Sequence, residues 1–227
     1  MMICAIAVGL ALIVSFYPLT QWAIEWLKKP AESRVDNFHL VFTEPLGFWG
    51  PFFSISLKLA IAISMPVLIW QVLAFVGPGL TKNEKRWAFP IVIGATIMFV
   101  LGCAFAYYVE MPPALNFLLH PPGGLAEPFI SVKSYIGFAS SLMLVTGLVF
   151  ETPLLIMGLA KVGVIRSRKL FGYWRFAIVG AFVVSAVVTP SIDPITQTLV
   201  AVPIVVLYFF GCFLAMMVEK NPIIPRS

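Results

Sequence analysis

Charged residues are scarce in this sequence: they make up 11% of its 227 residues, while 60% of the residues are hydrophobic. The mean hydropathy is +0.99, a value that ordinary soluble domains of this length do not reach. This composition excludes a soluble globular domain. It predicts an integral membrane protein.

Cysteine, histidine and catalytic motifs are scarce as well. The three cysteines, Cys4, Cys103 and Cys212, lie in apolar runs without C-x-x-C spacing, so the sequence indicates no thiol metal site and no redox motif. His39 and His120 are isolated in predicted loops, and H-E-x-x-H, G-x-S-x-G, P-loop and paired-carboxylate motifs are missing. We therefore predict a protein that is not an enzyme and that holds no metal and no cofactor.

What the sequence has in abundance is apolar runs, separated by charged residues and by Pro/Gly clusters. They predict six helices, over about residues 1–24, 52–75, 88–109, 133–160, 176–189 and 195–218. A hydrocarbon core about 30 Å thick needs about 20 helical residues, so the fifth run, with about 14, is short. Prolines inside the runs predict bent helices. The predicted fold class is an all-α membrane protein with six transmembrane helices in a bent, concave bundle, which forms a single domain over residues 1–227.

Lysine and arginine are concentrated in alternate connections between these helices. The connection after helix two contains Lys82, Lys85 and Arg86, and the connection after helix four contains basic residues from position 161 to position 175. The positive-inside rule places both connections and both termini in the cytoplasm. The outer connections, one of which is predicted to begin at Glu110, carry more acidic than basic residues. This sidedness explains the net charge of +5, so we predict no nucleic-acid partner.

Glu151 is the only charged residue between Gly137 and Ala160. An ionised side chain near the middle of a membrane span costs about 2.5 to 3.5 kcal/mol, so a functional role is expected for it. Gly147 lies on the same helical stripe, where small residues let another helix or an inserted peptide approach closely. Pro153 cannot donate a backbone hydrogen bond, which predicts a break beside the glutamate. These residues predict an intramembrane groove.

Other polar residues near the membrane have more than one interpretation. Thr189 and Gln197 are candidates for polar contacts between helices five and six, and Asp193 is either an N-terminal helix cap or a functional acid. Lys58 lies about four residues inside helix two, and its long side chain can snorkel outward. We do not expect it to pair with Glu151, because the two residues differ in depth by about 15 Å.

Glu84 is the only acidic residue in the inner loop FVGPGLTKNEKR, which covers residues 75–86. One interpretation is a solvated turn in which Glu84 forms local salt bridges with Lys82 or Arg86. The other is a docking point for a cationic ligand, because a carboxylate accepts a bidentate guanidinium. The residues alone leave both interpretations open.

Four stretches together resemble the TatC family, the multispanning receptors of the twin-arginine protein translocase. They are TEPLGFW, WQVLAFVGPGLTKNEKRWAFP, GLVFETPLLIMGLAKVGVI and VVTPSIDPITQTLVAVP, in this order along nearly the whole chain. The family also carries an acidic and arginine-bearing segment before helix one. The first apolar run begins at Met1 without a polar flank, so we expect either that such residues lie upstream of this sequence or that receptor function is impaired.

The resemblance implies a function in protein export. A member of this family binds the twin-arginine signal peptides of folded cargo and exports that cargo, together with the single-span partners TatB and TatA, by using the proton motive force. It is a multi-pass protein of the bacterial cytoplasmic membrane, or of an organellar inner or thylakoid membrane. The implied partners are TatB-like and TatA-like proteins, signal peptides, membrane lipid and further copies of the chain within the complex.

The resemblance also implies roles for individual residues. At the cytoplasmic loop, Glu84 would contact the paired arginines of the signal, with Phe75, Lys82 and Arg86 in the same loop. Within the membrane, Glu151 would face the concave interior. Thr189 and Gln197 would belong to the partner-binding site. Pro45 and Asp193 would shape the periplasmic side.

A different function remains as the alternative. In a proton-coupled small-solute transporter, Glu151 would bind and release a proton during transport. The sequence has no internal repeat and no pair of matching broken helices, and we expect no second buried ionisable partner for Glu151. These features favour the protein-export interpretation.

Overall fold

The computed structural model describes residues 2–32, 49–76, 85–119, 131–161, 163, 165–189 and 194–219. These residues are almost entirely helical, which confirms the predicted all-α fold class. Two π-helical turns, Ser15–Leu19 and Ala106–Glu110, connect α1 to α2 and α4 to α5. The α-helices of the described residues are α1 (Met2–Val14), α2 (Thr20–Glu32), α3 (Trp49–Val76), α4 (Lys85–Phe105), α5 (Met111–Leu119), α6 (Val132–Phe150), α7 (Thr152–Lys161), α8 (Ser167–Gly172), α9 (Trp174–Val188) and α10 (Pro194–Glu219).

Within the described residues, five helical segments are long and apolar enough to cross a membrane. They are Ile6–Pro30, Trp49–Val72, Val92–Phe117, Val132–Lys161 and Pro194–Glu219. Helix α9 is apolar but has only 15 residues, which correspond to about 22 Å of helix. It lies at the position of the short fifth helix that the sequence predicts.

The first span contains an irregular turn around Pro18, which has no backbone N–H to donate. Near this turn, Thr20 Oγ1 donates to the carbonyl of Ser15 at 2.7 Å and lies 2.8 Å from Ser56 Oγ of α3. Ser15 Oγ in turn donates to the carbonyl of Ser56 at 3.2 Å. Backbone polar groups inside a membrane must find partners within the protein, and these hydroxyls supply them. The helix therefore continues to Glu32, beyond the predicted end at about residue 24.

The segment from Ala106 to Leu119 corrects the predicted outer connection, which was expected to begin at Glu110. Glu110 lies in the π-helical turn instead, and α5 follows it directly. Pro112 and Pro113, which follow Glu110 in the predicted connection, occupy the first turn of α5. The wider π-helical turn before them accommodates two residues that have no backbone N–H to donate.

The fourth span is broken at Glu151, next to Pro153 as predicted. Glu151 lies in a turn between α6 and α7, and its backbone N–H bonds to the carbonyl of Leu148 at 3.2 Å. Pro153 cannot donate to the carbonyl of Val149, four residues before it, so the regular helical bonding is interrupted there. The break sets the direction of the Glu151 side chain within the bundle.

One half of the bundle, at the N-terminal end of α6, is held together by a hydrophobic core between α2, α3, α5 and α6. Its most deeply buried members include Leu27, Ile55, Met111 and Ile136. Tyr135 joins the same region, because its hydroxyl donates to the carbonyl of Leu27 at 2.7 Å. This core fixes the position of α6 relative to α3, and so places the polar groups of α6 against their neighbours.

Candidate functional site

Glu151 is buried inside the bundle, with 2% of its surface exposed. Its Oε1 atom has no hydrogen-bond partner among the described residues. Burying a polar atom without a partner is unfavourable, so most buried carboxyl oxygens in proteins are bonded. Glu151 is thus a buried acidic side chain with one carboxyl oxygen left unsatisfied by the described residues.

Close helix contacts lie on either side of Glu151 along the fourth span. On its N-terminal side, a Cβ atom added to Gly102 of α4 would lie 2.8 Å from the Cα of Gly147, so only glycine fits this crossing. On its C-terminal side, a Cβ atom on Gly211 of α10 would lie 2.9 Å from the Cα of Pro153. Helices of this chain occupy both positions. The prediction that Glu151, Gly147 and Pro153 line a groove for an inserted peptide stays a prediction.

Glu110 is a second buried acid, with 1% of its surface exposed. Its Oε2 atom accepts a hydrogen bond from Thr146 Oγ1 at 2.7 Å, which ties the turn after α4 to α6. Its hydrogen-bond partner is Thr146 and not Glu151, so the expectation that Glu151 has no second buried ionisable partner stays a prediction. Glu110 lies within an otherwise apolar helical segment, Val92–Phe117. Because apolar residues continue on both sides of Glu110, this pattern is the signal that could have indicated a buried position for the acid.

The Lys58 side chain turns toward α6. Its ammonium donates to Ser140 Oγ and Ser141 Oγ, both at 2.8 Å, and to the carbonyl of Gly137 at 3.4 Å. The hydroxyls lie on a neighbouring helix, so their position relative to Lys58 could not be derived from the pattern of α3 alone. Ser141 is ten residues from Glu151, or about 15 Å along a helix, so Lys58 and Glu151 occupy different levels of the bundle.

The residues predicted for partner binding lie at the hairpin between α9 and α10. Gln197 Nε2 donates to the carbonyl of Phe182 at 3.1 Å and so links the two helices. Thr189 Oγ1 donates within its own helix, to the carbonyl of Ser185 at 2.8 Å. The neighbouring surface of α9 is apolar and exposed, as at Val187, where 82% of the side chain is accessible.

The predicted residues of the loops cannot be placed in this way. Glu84, Lys82, Pro45 and Asp193 lie outside the described residues. Phe75 and Arg86 lie in α3 and α4, but their side chains are also outside the described part of the structure. The roles that the motifs imply for these six residues stay predictions.

Comparisons with known proteins point to one family. Residues 1–203 match the sequence profile of the family described as "TatC: Sec-independent protein translocase protein (TatC)". A relative from Arabidopsis thaliana, "Sec-independent protein translocase protein TATC, chloroplastic", is 36% identical over 216 residues, which cover 93% of this chain and 62% of that protein. The chain thus spans less than two thirds of the length of the chloroplast relative.

A bacterial relative and a solved structure agree with this match. "Sec-independent protein translocase protein TatC" from Synechocystis is 36% identical over 211 residues, which cover 91% of this chain and 79% of that protein. The crystal structure described as "Twin Arginine Translocase Receptor- TatC" superposes with a TM-score of 0.86 at 33% identity, over 96% of this chain and 95% of that one. Fold and sequence therefore identify the same relatives.

Proposed function

This chain belongs to the TatC family of Sec-independent protein translocases, and we propose that it is the receptor component of a twin-arginine translocation system. The resemblance seen in the four motifs is thereby confirmed. So is the prediction that the chain is not an enzyme, because the family consists of protein translocases. In the proposed function, the chain binds twin-arginine signal peptides and takes part in the export of folded proteins.

The observation that carries this proposal is the agreement between the fold and the motifs. The chain superposes on a twin-arginine translocase receptor over 96% of its length, and the motif stretches occur in one order along that length. A signal peptide of this kind has paired arginines followed by an apolar segment. A carboxylate at the membrane edge is suited to the arginines, and an apolar helical bundle is suited to the segment that follows.

We assign the arginine contact to Glu84, with Phe75, Lys82 and Arg86 in the same loop. The assignment is supported by the position of Glu84 in the basic connection before α4 and by the bidentate geometry that a carboxylate offers to a guanidinium. The lysine ammonium is a compact point charge and cannot form the same pair of parallel hydrogen bonds. Recognition of paired arginines rather than paired lysines follows from this chemistry.

We assign a different role to Glu151, which lies in the membrane at a break in the fourth span. Its free carboxyl oxygen and the interrupted helix beside it are suited to a group whose contacts or protonation change when a peptide enters the bundle. Gly147 and Pro153 are proposed to shape this region by holding α4 and α10 close to it. The driving force in this proposal is the proton motive force.

The proposed partners are TatB-like and TatA-like single-span proteins and further copies of this chain. Thr189 and Gln197 are proposed to belong to the partner-binding surface, beside the exposed apolar face of α9. Pro45 and Asp193 are proposed to shape the periplasmic side. The multi-pass chain is placed in a bacterial cytoplasmic membrane with both termini in the cytoplasm. The alternative is an organellar inner or thylakoid membrane, since relatives include a chloroplast protein.

The alternative function, a proton-coupled small-solute transporter, is not supported. Glu110 is a second buried acid, but it accepts its hydrogen bond from Thr146 and is not a partner of Glu151. The family is one of protein translocases, and the relatives are named accordingly. We do not retain the transporter as a candidate.

Site-specific crosslinking tests the proposed receptor function. A photoreactive amino acid in place of Asn83, next to Glu84, is expected to crosslink to a twin-arginine signal peptide added to membranes that contain the chain. Glu84→Ala in the same protein should reduce the crosslink at least about tenfold, because a charge-assisted bidentate contact is lost. The same photoreactive residue in place of Trp174, at the start of α9, serves as the control and should give no specific product.

A comparison of two signal peptides distinguishes recognition of paired arginines from nonspecific attraction to positive charge. Replacing both arginines of the peptide by lysine keeps the charge and removes the bidentate geometry. Crosslinking of the twin-lysine peptide to the same extent as the twin-arginine peptide would contradict the proposal.

A further inference from the structure

A cavity of about 150 Å³ lies in the outer half of the bundle, between α2, α3, α4 and α6. Its lining is almost entirely apolar, and includes Leu59, Ala62, Phe99 and Met143. Lys58 supplies the cationic group on its wall. An apolar cavity with one cation on its wall fits an amphipathic ligand that carries a negative charge.

The Lys58 ammonium is hydrogen-bonded but its charge is not neutralised. Its acceptors are the oxygens of Ser140, Ser141 and Gly137, and no carboxylate of the described residues forms an ion pair with it. Ser140 Oγ in turn donates to the carbonyl of Ile136 at 2.6 Å, so this hydroxyl can act toward the ammonium as an acceptor only. Neutral oxygens orient the cation, while an anion would compensate its charge.

The cavity reaches the surface of the protein beside Trp22, whose side chain is 62% exposed. Trp22 is parallel to Trp26 with ring centroids 6.1 Å apart, and Trp26 stacks on Tyr107 at 3.8 Å. Such clusters of tryptophan and tyrosine are typical of the level at which lipid headgroups meet the hydrocarbon core. The entrance therefore lies where a lipid headgroup is found.

The depth of the ammonium agrees with this level. Helix α3 has 28 residues, or about 42 Å, so about 6 Å extends beyond a 30 Å hydrocarbon core at each end. Lys58 is nine residues from Trp49, which places its Cα about 7 Å inside the core. Ser140 and Ser141, to which the ammonium donates at 2.8 Å, lie in the 30-residue span Val132–Lys161, eight and nine residues from its first residue. Their depth places the ammonium about 5 Å inside the core. A phosphate drawn slightly inward reaches this depth.

We propose that this cavity binds one anionic phospholipid, with its phosphate on Lys58 and part of one acyl chain along Leu59, Ala62 and Met143. The ligand carries a net negative charge because the phosphate of a zwitterionic lipid is already compensated by its own ammonium group. A peptide helix does not fit the volume, which holds a few methylene groups rather than a helix about 10 Å wide. This site is distinct from the proposed signal-peptide contact at Glu84.

The test is a count of retained lipids. The full chain is reconstituted into vesicles of equal parts phosphatidylcholine and phosphatidylglycerol, extracted in mild detergent and weighed by native mass spectrometry. One phosphatidylglycerol should remain bound in preference to phosphatidylcholine. Lys58→Gln should lower this preference about tenfold, as expected for the loss of one charge-assisted contact. Lys58→Arg should keep it.

Two further variants separate this site from general attraction to anionic membranes and from misfolding. Lys133→Gln removes an exposed lysine at the outer end of α6, outside the cavity, and should leave lipid retention unchanged. Ala62→Phe keeps Lys58 but fills the apolar part of the cavity, and should abolish retention. The helical circular dichroism of each variant is recorded in parallel, and Ala62→Phe decides the result if Lys58→Gln does not fold.

Several outcomes would overturn the proposal. Equal retention of the two lipids by the unmodified chain would do so, as would unchanged phosphatidylglycerol retention in both Lys58→Gln and Ala62→Phe. A parallel reconstitution includes oleate in phosphatidylcholine vesicles. Lys58-dependent retention of oleate without retention of phosphatidylglycerol would show a carboxylate site instead of a phospholipid site.

Discussion

Among the described residues, two carboxyl groups are buried in the membrane-spanning part of this protein, and their surroundings differ. Glu110 receives a hydrogen bond from Thr146 of a neighbouring helix, at 2.7 Å. Glu151 lies at a helix break, and its Oε1 atom has no partner among the described residues. A bonded buried acid stabilises one arrangement of helices, whereas an unbonded one leaves a group free to respond to a ligand or a proton. We therefore propose that Glu110 serves the fold and that Glu151 serves the function.

The largest expected effect comes from the helix crossing that holds both acids in place. Gly102→Leu would put side-chain atoms where the Cα of Gly147 lies, since even a Cβ would be 2.8 Å from it. We expect a loss of at least about 1 to 3 kcal/mol in the free energy of unfolding, because the helices must separate. Unfolding in detergent with increasing denaturant, followed by circular dichroism, measures it.

Gly180→Leu is the matched control for this change. Gly180 lies on α9, and a Cβ there would have no atom within 4 Å. Its stability should therefore stay within about 0.5 kcal/mol of the unmodified chain. Similar losses for the two variants would show that the crossing has no special role.

Thr146→Val tests the bonded acid. Valine keeps the shape of threonine but removes the donor, so Glu110 would remain buried without its hydrogen bond. We expect destabilisation by about 1 to 2 kcal/mol, which is typical for a buried polar group left unsatisfied. Thr198→Val removes a hydroxyl that only bonds to the carbonyl of Pro194 in its own helix, and should change stability by less than about 0.5 kcal/mol. An unchanged free energy of unfolding in Thr146→Val would show that the hydrogen bond to Glu110 does not stabilise the fold.

The smallest effect on stability is expected at the unbonded acid. Glu151→Gln keeps the size of the side chain and removes its charge, and no hydrogen bond from the Oε1 atom is lost. The free energy of unfolding should stay within about 0.5 kcal/mol of the unmodified chain or increase, because a buried group that can ionise is replaced by a neutral one. A loss of free energy of unfolding as large as that of Thr146→Val would show that Glu151 stabilises the fold as Glu110 does.

The pattern of apolar runs was sufficient to predict much of this fold. Run length and charge boundaries indicate the helices, including the short one that corresponds to α9, and Pro153 marks the break beside Glu151. These features depend on neighbouring residues in the chain. Proline in a turn preceding a helix and proline in its first turn look alike in sequence, however, and for this reason Glu110 was wrongly placed in a loop.

The direction of Lys58 could not be predicted for a different reason. Snorkelling is the usual solution for a lysine near a membrane interface. Here the hydroxyls of Ser140 and Ser141 offer closer acceptors, but they belong to a helix about 80 residues further along the chain. Which face of one helix meets another is set by packing across the bundle. Contacts of this kind, including that between Glu110 and Thr146, require the folded structure.

Export of folded cargo is the measurement that tests the central claim most directly. A fluorescent protein behind a twin-arginine signal is followed in membranes that contain TatA-like and TatB-like partners and either the unmodified chain, Glu151→Gln or Glu110→Gln, with rates normalised to the amount of folded chain. We predict export by the unmodified chain, a large reduction in Glu151→Gln and a rate close to that of the unmodified chain in Glu110→Gln. Full export by Glu151→Gln together with loss of export in Glu110→Gln would contradict the account.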